Sequence, residues 1–291
     1  MHKVLCRWIT LWSAWPQGAI NRLPEQPMLG RYWRVGMQYP KKLTDALELI
    51  WGEGMLSPGG PEKVADMLEG MDISGRHVLD IGSGLGGIDV LLAIKHGAAA
   101  VIGVDVEPQL IKSASNLAAR KGLTGRVSFQ LVSRGRLPFA DTTFDLVFSK
   151  DAMLHIGNKL ALYSEVLRLL KPAGWFIAAD WFWSEGAAKS KIVKSWFRES
   201  QSNFAFTPPA AALQALIDAG FAEPTVTDLR HELQKTTREE VSLLKGPVGQ
   251  KLVAILGREI ADSRLASAES RQAALDSGDL IPCYLKGRRP S

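Results

Sequence analysis

The chain has 291 residues, 46% of them hydrophobic, which is enough for one large domain or two small ones with a filled core. Its two cysteines, Cys6 and Cys283, exclude a disulfide framework and stand near no metal-ligating cluster, so we expect no metal site and a cytoplasmic location. The net charge of +5 is concentrated at the two ends of the chain rather than in a stripe across a folded face, which argues against a nucleic-acid partner.

The first 35 residues predict a poorly ordered basic extension, and residues 36–291 predict a single domain. Residues 1–42 carry seven Lys and Arg against one acid. Arg7 and Pro16 interrupt the apolar start, and no run reaches membrane-spanning length, so neither a signal peptide nor stable membrane insertion is expected. A shallow contact of the N-terminal tryptophans with a membrane surface stays open.

Short apolar runs alternate with helical patterns from about residue 76 onward, and this alternation predicts an α/β fold. Six runs predict strands: HVLDI (77–81), AAVIGVDV (99–106), RVSFQLV (126–132), FDLVFS (144–149), GWFIAAD (174–180) and LIPCYLKGRR (280–289). Helical patterns lie between them, in residues 87–97, 107–122, 158–172 with a stop at Pro172, and 209–220 before FAEPTVTDL (221–229). Such a chain forms a parallel sheet covered by helices on both faces, and it binds ligands beyond the carboxyl ends of its strands.

Residues 232–278, before the last strand, differ from the rest of the domain. They are polar and helical in pattern, without a strand-like run. Two interpretations stay open at this stage: the insertion caps the ligand crevice, or it forms a peripheral pair of helices.

The stretch HVLDIGSGLGG (77–87) places a glycine-rich loop directly after the first strand. Gly82, Gly84 and Gly87 fit the dinucleotide fingerprint G-x-G-x-x-G, whereas Gly82, Gly84 and Gly86 fit a G-x-G-x-G loop for S-adenosylmethionine (SAM). In both readings the backbone comes close to the ligand because glycine has no side chain to interfere.

Asp80 distinguishes the two ligands. It ends the first strand two residues before Gly82, where a dinucleotide would place a pyrophosphate of like charge and SAM would place a sulfonium and an ammonium. At ~4 Å the interaction of two unit charges is about 4 kcal/mol at an effective dielectric near ~20, so its sign selects the cation. Asp105 ends the second strand and suits the ribose hydroxyls of either ligand. The sequence therefore predicts SAM as the cofactor.

The same residues resemble class I SAM-dependent methyltransferases, over most of residues 36–230 and the final strand. The motifs are VLDIGSGLGG, GVDVEPQLI, FDLVFSKDAMLHI and LKPAGWFIAADW. Within this class the chain is most similar to the phosphoethanolamine N-methyltransferases, on QYPKKLTDALELIWGEGMLSPGG (38–60), DIGSGLGG (80–87) and SKDAMLHI (149–156).

The resemblance implies a doubly wound, mostly parallel sheet of seven strands, the Rossmann-like methyltransferase fold, with N-terminal helices that form a lid over SAM. It implies that Tyr39 and His155 form a pair that gates the site and helps to deprotonate an amine, with Asp151 orienting the imidazole. It also implies that SAM contacts Gln38, Ser57, Gly82, Asp105 and Val106. The other predicted SAM contacts are Asp80, Ser83, Gly84, Ser133, Arg134 and Lys150.

Amine methylation requires a base independently of the resemblance. A protonated amine has no lone pair with which to attack a methyl group, so one proton must leave first. Histidine, with an unperturbed pKa of ~6.5, suits that task near neutral pH. A tyrosine hydroxyl, with a pKa of ~10, can hydrogen-bond the nitrogen and position it.

The chain departs from the resembling branch at two contacts. Ser133 replaces the acid that the branch uses for the adenine amino group. At the substrate phosphate, Trp181 stands where a tyrosine is expected, residues 200–209 hold neither Arg nor Tyr, and Arg271 falls near the position of a lysine. A buried phosphate needs several charge-assisted donors. The sequence therefore keeps Trp181 and Arg271 as acceptor contacts but argues against phosphoethanolamine itself.

Aromatic residues follow the fifth strand, where they form either an acceptor site or part of the core. They are Trp181, Phe182, Trp183, Trp196, Phe197 and Phe204. The sequence predicts an enzyme that methylates a small-molecule acceptor at an amine nitrogen. The alternatives are methylation of oxygen or carbon on an apolar metabolite, and a non-catalytic SAM-binding module. The oligomeric state is not predicted.

Overall fold

The structure is a computed structural model that describes residues 39–200 and 204–291, with the backbone alone for residues 197–200. The predicted N-terminal extension and Gln38 lie outside the described residues. Both therefore stay predictions.

One sheet lies at the centre of the described chain. Its strands are β1 (His77–Ile81), β2 (Ala100–Asp105), β3 (Val127–Leu131), β4 (Phe144–Lys150), β5 (Leu170–Trp183), β6 (Ala222–Asp228) and β7 (Leu280–Arg288). The seven strands have the order β3-β2-β1-β4-β5-β7-β6. Pairs among β1 to β5 are parallel, whereas β7 runs antiparallel between β5 and β6. The prediction of a doubly wound, mostly parallel seven-stranded sheet is confirmed.

Helices cover both faces of the sheet, and further helices precede its first strand and its last strand. They are α1 (Lys41–Trp51), α2 (Gly60–Met67), α3 (Gly87–Ile94), α4 (Pro108–Arg120), α5 (Lys159–Leu169), α6 (Lys191–Ser200), α7 (Pro209–Ala219), α8 (Arg230–Lys245), α9 (Pro247–Leu256) and α10 (Arg258–Asp276). Among the described residues, no helix is long and apolar enough to cross a membrane.

Alternation along β1 divides the interior into two cores. Leu79 and Ile81 pack on one face with residues of α5 and α7. Val78 packs on the other face with residues of α2, α3 and α4. Because successive strand residues point to opposite faces, the nearly continuous apolar run of β1 is the pattern of a strand buried on both sides.

The strand order reverses at β1, which lies between β2 and β4. The connections from β1 and β4 therefore leave toward opposite faces of the sheet, and a crevice opens beyond the carboxyl ends of these strands. This crevice is where the glycine loop, the end of β2 and the end of β4 meet.

The transition from α5 to β5 differs from the prediction. The helix ends at Leu169 rather than at Pro172, and Leu170 already has an extended backbone with φ −72° and ψ 141°. Proline disfavours a helical backbone at the residue before it, here Lys171, so the helix cannot continue to Pro172; β5 begins one residue earlier still, at Leu170.

The predicted insertion consists of three helices, α8 to α10, rather than a pair. Helix α9 packs on α1 through a cluster that includes Ala46 and Leu252. Helices α8 and α10 contribute Leu233 and Leu275 to a cluster with Trp181, beyond β5. This packing favours the interpretation that the insertion caps the crevice.

The segment between α1 and α2 lies directly on the start of α3. The Gly87 N–H donates to the Gly54 carbonyl over 3.1 Å. A Cβ on Gly87 would lie 2.6 Å from that carbonyl oxygen and 2.7 Å from its carbon. Only a glycine at position 87 allows the two backbones to approach this closely.

We predict that Gly87→Ala destabilises the protein by ~1–3 kcal/mol, the usual cost of forcing a backbone shift. Urea unfolding followed by circular dichroism measures the change. Gly157→Ala is the matched control, because its Cβ would meet only Ala205 at an ordinary 3.7 Å. Equal stability of the two variants would contradict the prediction.

Candidate active site

The glycine loop turns sharply between β1 and α3. Gly82, Gly84 and Gly86 have φ values of +83°, +55° and +83°, which favour glycine, whereas Gly87 does not have a positive φ. The three left-handed positions are those of the G-x-G-x-G reading. Gly87 is needed for a different reason, the close approach of Gly54.

The N–H groups of this loop are largely engaged within the protein. Gly82 and Ser83 donate to the Val104 carbonyl, and Gly84 donates to the Asp105 carboxylate. Gly86 donates to Ser83, and Gly87 to Gly54. A loop that cradles a pyrophosphate must point such N–H groups at the ligand. This loop therefore does not fit a dinucleotide.

Asp105 is fixed at the end of β2 by two backbone donors. Oδ2 accepts from the Gly84 N–H and Oδ1 from the Glu107 N–H, each over 3.0 Å. Burial raises the pKa of Asp105, while these N–H groups and the nearby His155 lower it. Each oxygen keeps a lone pair beyond its backbone bond, so the carboxylate can accept from the hydroxyls of a ribose.

Lys150 joins the end of β4 to the segment before α2. Its Nζ donates to Ser57 Oγ over 2.6 Å, to the Pro58 carbonyl over 2.8 Å and to Asp151 Oδ2 over 2.7 Å. Asp151 has a left-handed backbone, with φ +55°. Through its ammonium group Lys150 thus joins Ser57, another predicted SAM contact, to the end of β4.

Tyr39 and His155 both interact electrostatically with Asp105. The pKa of Tyr39 is raised by burial and then by the charge of Asp105, while Arg264 on α10 lowers it. His155 ends a short 3-10 turn, Met153–His155, and its ring centroid lies 5.5 Å from that of Phe204. Asp151 precedes this 3-10 turn rather than an α-helical turn, and its described carboxylate contact is with Lys150.

The aromatic residues predicted for the acceptor site or the core belong to the end of β5, to α6 and to the segment before α7. Phe182 is buried in the core beside α5 and α7. Trp196 stacks on Phe204 and Phe206, with ring centroids 5.3 and 5.7 Å apart. This stack continues to His155 through Phe204, so it forms an apolar wall beside the candidate base. The side chain of Phe197 lies outside the described part.

A small cavity lies at the carboxyl end of β4, against residues 179–181 of β5 and residues 282–283 of β7. Its polar lining combines two carboxylates, Asp151 and Asp180, with two ammonium groups, Lys63 and Lys150, beside the indole of Trp181. Lys63 pairs with Glu232 of α8 over 2.6 Å. Sequence reasoning missed Lys63, which belongs to no motif, and gave no role to Asp180, which lies within LKPAGWFIAADW. Tertiary packing brings both to this cavity.

The remaining predicted contacts lie at the rim or outside the cavity. Val106, Ser133 and Arg134 are exposed after β2 and β3. Arg271 lies within the cap, where its Nη2 donates to Glu240 over 2.6 Å. The structure does not bring Arg271 to the cavity that Trp181 lines.

The carboxyl group of Asp80 lies buried beneath the glycine loop, and the residue is 1% exposed. Among the described residues, no donor reaches either of its oxygens. Burial raises the pKa of Asp80 to about 7. An orphaned carboxyl group at this position, a clamped Asp105 and a loop with engaged N–H groups fit a cationic ligand that carries a ribose.

The order of the strands, the glycine loop after β1 and the acidic residues near the ends of β1 and β2 define the class I SAM-dependent methyltransferase fold. A methyltransferase domain model matches residues 72–238, and the chain belongs to that family. Its cofactor is SAM, as the family implies and the residues above permit.

Similar sequences include phosphoethanolamine N-methyltransferase 1 of Arabidopsis thaliana, which is 29% identical over 208 residues, or 70% of this chain and 41% of the relative. The chain thus spans about two fifths of the length of that relative. O-methyltransferase cnsE of Penicillium expansum is 29% identical over 235 residues, or 78% of this chain and 80% of the relative.

Among solved structures, the fold is similar to phosphoethanolamine N-methyltransferase 2 of Haemonchus contortus, in complex with phosphomonomethylethanolamine and S-adenosylhomocysteine. The TM-score is 0.80 at 23% identity, over 88% of this chain and 59% of that one.

We predict that Asp105→Ala weakens SAM binding by ~1–3 kcal/mol, the scale of a lost hydrogen bond to a charged group. Calorimetry of the purified variant measures this loss. Asp218→Ala, at an exposed aspartate on α7, is the matched control and should bind SAM normally. Unchanged affinity in a folded Asp105→Ala variant would remove Asp105 from the site.

Proposed function

We propose that the protein methylates an amine nitrogen of a small-molecule acceptor. The proposal is carried by the positions of Tyr39, which lines a pocket with Leu85 of the glycine loop, and of His155 after β4, together with the electrostatic interaction of both with Asp105. When bound, SAM supplies an electrophilic methyl group on a sulfonium. The protein then has to hold the acceptor nitrogen in line with that methyl group and remove its proton.

In this proposal Tyr39 binds the nitrogen without acting as the base. Burial and the negative charge of Asp105 both raise the pKa of its phenol, so the hydroxyl stays neutral throughout the working pH range. A neutral hydroxyl can donate one hydrogen bond and accept others. Tyr39 lies two residues before the start of α1 at Lys41, so in this proposal movement of the segment opens or closes the crevice.

His155 accepts the proton in the same proposal. It stands directly after β4, at the edge of the sheet where the crevice opens. The aromatic wall beside it limits access of water, and Asp105 lies near enough to stabilise the imidazolium formed. In this proposal Asp151 orients the imidazole of His155 from the loop that precedes the 3-10 turn.

The cavity beside Trp181 supports a cationic acceptor. Asp151 and Asp180 line it from neighbouring strands, and an indole face attracts an ammonium group. Lys63 and Lys150 also line it, but Lys63 pairs with Glu232 and Lys150 has an acceptor for each of its donors, so the lining favours a cationic group over an anionic one.

A second candidate is methylation of oxygen or carbon on an apolar acceptor. The stack of Trp196, Phe204 and Phe206 favours it, since an apolar ring could extend that wall toward His155. The similarity to a fungal O-methyltransferase over most of both chains points the same way.

Incubation with labelled SAM and a panel of amines, phosphobases, phenols and lipids distinguishes the two candidates. Label in an amine supports the first, and label confined to phenols or lipids supports the second. Label in phosphoethanolamine would contradict the sequence argument against that acceptor.

We propose the cytoplasm as the location, on the low cysteine count.

We predict that His155→Ala lowers kcat by ~10²–10⁴-fold, the usual contribution of a general base, while SAM affinity barely changes. Tyr39→Phe keeps the ring and should lose less. Because paired residues act as a unit, the double variant should lose less than the product of the two single losses. Near-normal turnover of His155→Ala would remove the base from the mechanism.

We predict that kcat/KM rises with pH through the range in which an imidazole deprotonates, at ~6.5 for an unperturbed histidine. Both the base and the amine then lose a proton before transfer. Initial rates with the identified acceptor, measured in overlapping buffers, test this profile. A flat profile would favour an acceptor atom that is already neutral.

A further inference from the structure

A second buried aspartate lies against Asp80 beneath the glycine loop. Asp89, in the first turn of α3, is 0% exposed, and no donor among the described residues reaches its oxygens. The two carboxyl groups are close enough to hydrogen-bond each other once one is protonated. Two carboxylates this deep cannot both carry charge without a donor, so the pair has to hold a proton.

The sheet leaves a space shaped for the Asp89 carboxyl group. Phe129, Gly103, Asp80 and Phe148 form one row across β3, β2, β1 and β4. A Cβ on Gly103 would lie 2.6 Å from Asp89 Oδ1. In a row that is otherwise bulky, the missing side chain at Gly103 thus provides the volume that the carboxyl group fills.

Ser83 of the glycine loop adjoins the pair and is also unsatisfied. It is 5% exposed, and its Oγ has no partner among the described residues. A Cβ added at Gly103 would lie 2.6 Å from the Ser83 Cβ, so Ser83 borders the same space as Asp89. Polar atoms without partners therefore meet where the loop approaches the cofactor.

Other charges act on the pair from two neighbouring strands. Burial raises the pKa of both aspartates, and the charge of Asp105 on β2 raises both further. Lys150 on β4 lowers the pKa of Asp80. Lys150 already donates to Ser57, Pro58 and Asp151, so it does not hydrogen-bond the pair.

We propose that Asp89 is a positioning residue for SAM: together with Asp80 it holds one shared proton in the SAM-free protein, and the pair releases that proton to the solvent when the cationic cofactor binds. The positive charge of the cofactor takes the place of the proton. Asp89 acts through Asp80, which it holds beneath the loop.

The linkage has a definite sign. A cation beside the pair lowers its pKa, so SAM affinity must increase with pH until the pair is ionised in the free protein as well. Below the pKa of the shared proton in the free protein the affinity rises by up to about tenfold for each pH unit, and it levels off above that pKa.

Calorimetric titration of SAM in two buffers of different ionisation enthalpy tests the proposal on the full chain and on Asp89→Asn. The amide matches the carboxyl group in shape and can donate to Asp80 without a titratable proton. We expect the unmodified protein to release more protons per SAM than the variant, and the variant to lose most of the pH dependence. His155 and the amino group of SAM are common to both proteins, so the difference isolates the pair.

Asp218→Asn, at the exposed aspartate on α7, is the control and should release protons as the unmodified protein does. Equal proton release and equal pH dependence in Asp89→Asn and the unmodified protein would overturn the proposal. The outcome does not depend on the acceptor, so it is independent of whether nitrogen, oxygen or carbon is methylated.

If Asp89→Asn does not fold, infrared spectroscopy of the unmodified protein tests the proposal instead. The infrared carbonyl band of a buried protonated carboxylic acid should be present in the SAM-free protein and should weaken on saturation with SAM. Persistence of the full band in the saturated protein would overturn the proposal.

Thermal unfolding gives a further check. A carboxyl group whose pKa is raised in the folded state stabilises the fold below its ordinary pKa, and the contribution is lost as the pH rises through the folded value, about 7 for Asp80. The Tm of SAM-free Asp89→Asn should therefore fall less between about pH 5 and pH 8 than that of the unmodified protein. An equal fall in Tm would count against the shared proton.

Discussion

The reversal of strand order at β1 is the constraint on which the site depends. With β2 on one side and β4 on the other, β1 places the ends of three parallel strands around one crevice. Each of these strands ends in a charged residue: Asp80 is near the end of β1, Asp105 ends β2 and Lys150 ends β4. Parallel pairing in register fixes the separation of these side chains before any ligand arrives, which reduces the ordering that binding requires.

The buried charges at this edge are then stabilised in different ways. Asp105 is held by backbone N–H groups, and Lys150 has an acceptor for each of its donors. The Asp80 and Asp89 pair has no such donors. Burial of a polar group without a partner costs free energy that natural folds rarely tolerate away from a function. The unsatisfied pair therefore lies where a cation is expected.

Segments distant in sequence close the crevice from above. The loop before α2 contacts α3 at Gly54 and Gly87, and it is joined to β4 through Lys150. Helix α9 packs on α1, while α8 and α10 pack over the aromatic residues beyond β5. The N-terminal helices and the insertion are thus in contact, through the packing of α1 on α9 and the ion pair of Lys63 with Glu232.

The sequence by itself determined the sheet, the glycine loop and the cofactor class. These features follow from local patterns: apolar strands, glycines at left-handed positions and acids at strand ends. It did not determine the Asp89 pair, the cavity with Lys63 and Asp180, or the ion pair that holds Arg271 within the cap. The space over Gly103 exists only because β3, β2, β1 and β4 align in register. Such contacts join residues far apart in the chain, and only tertiary packing decides which charges become buried together.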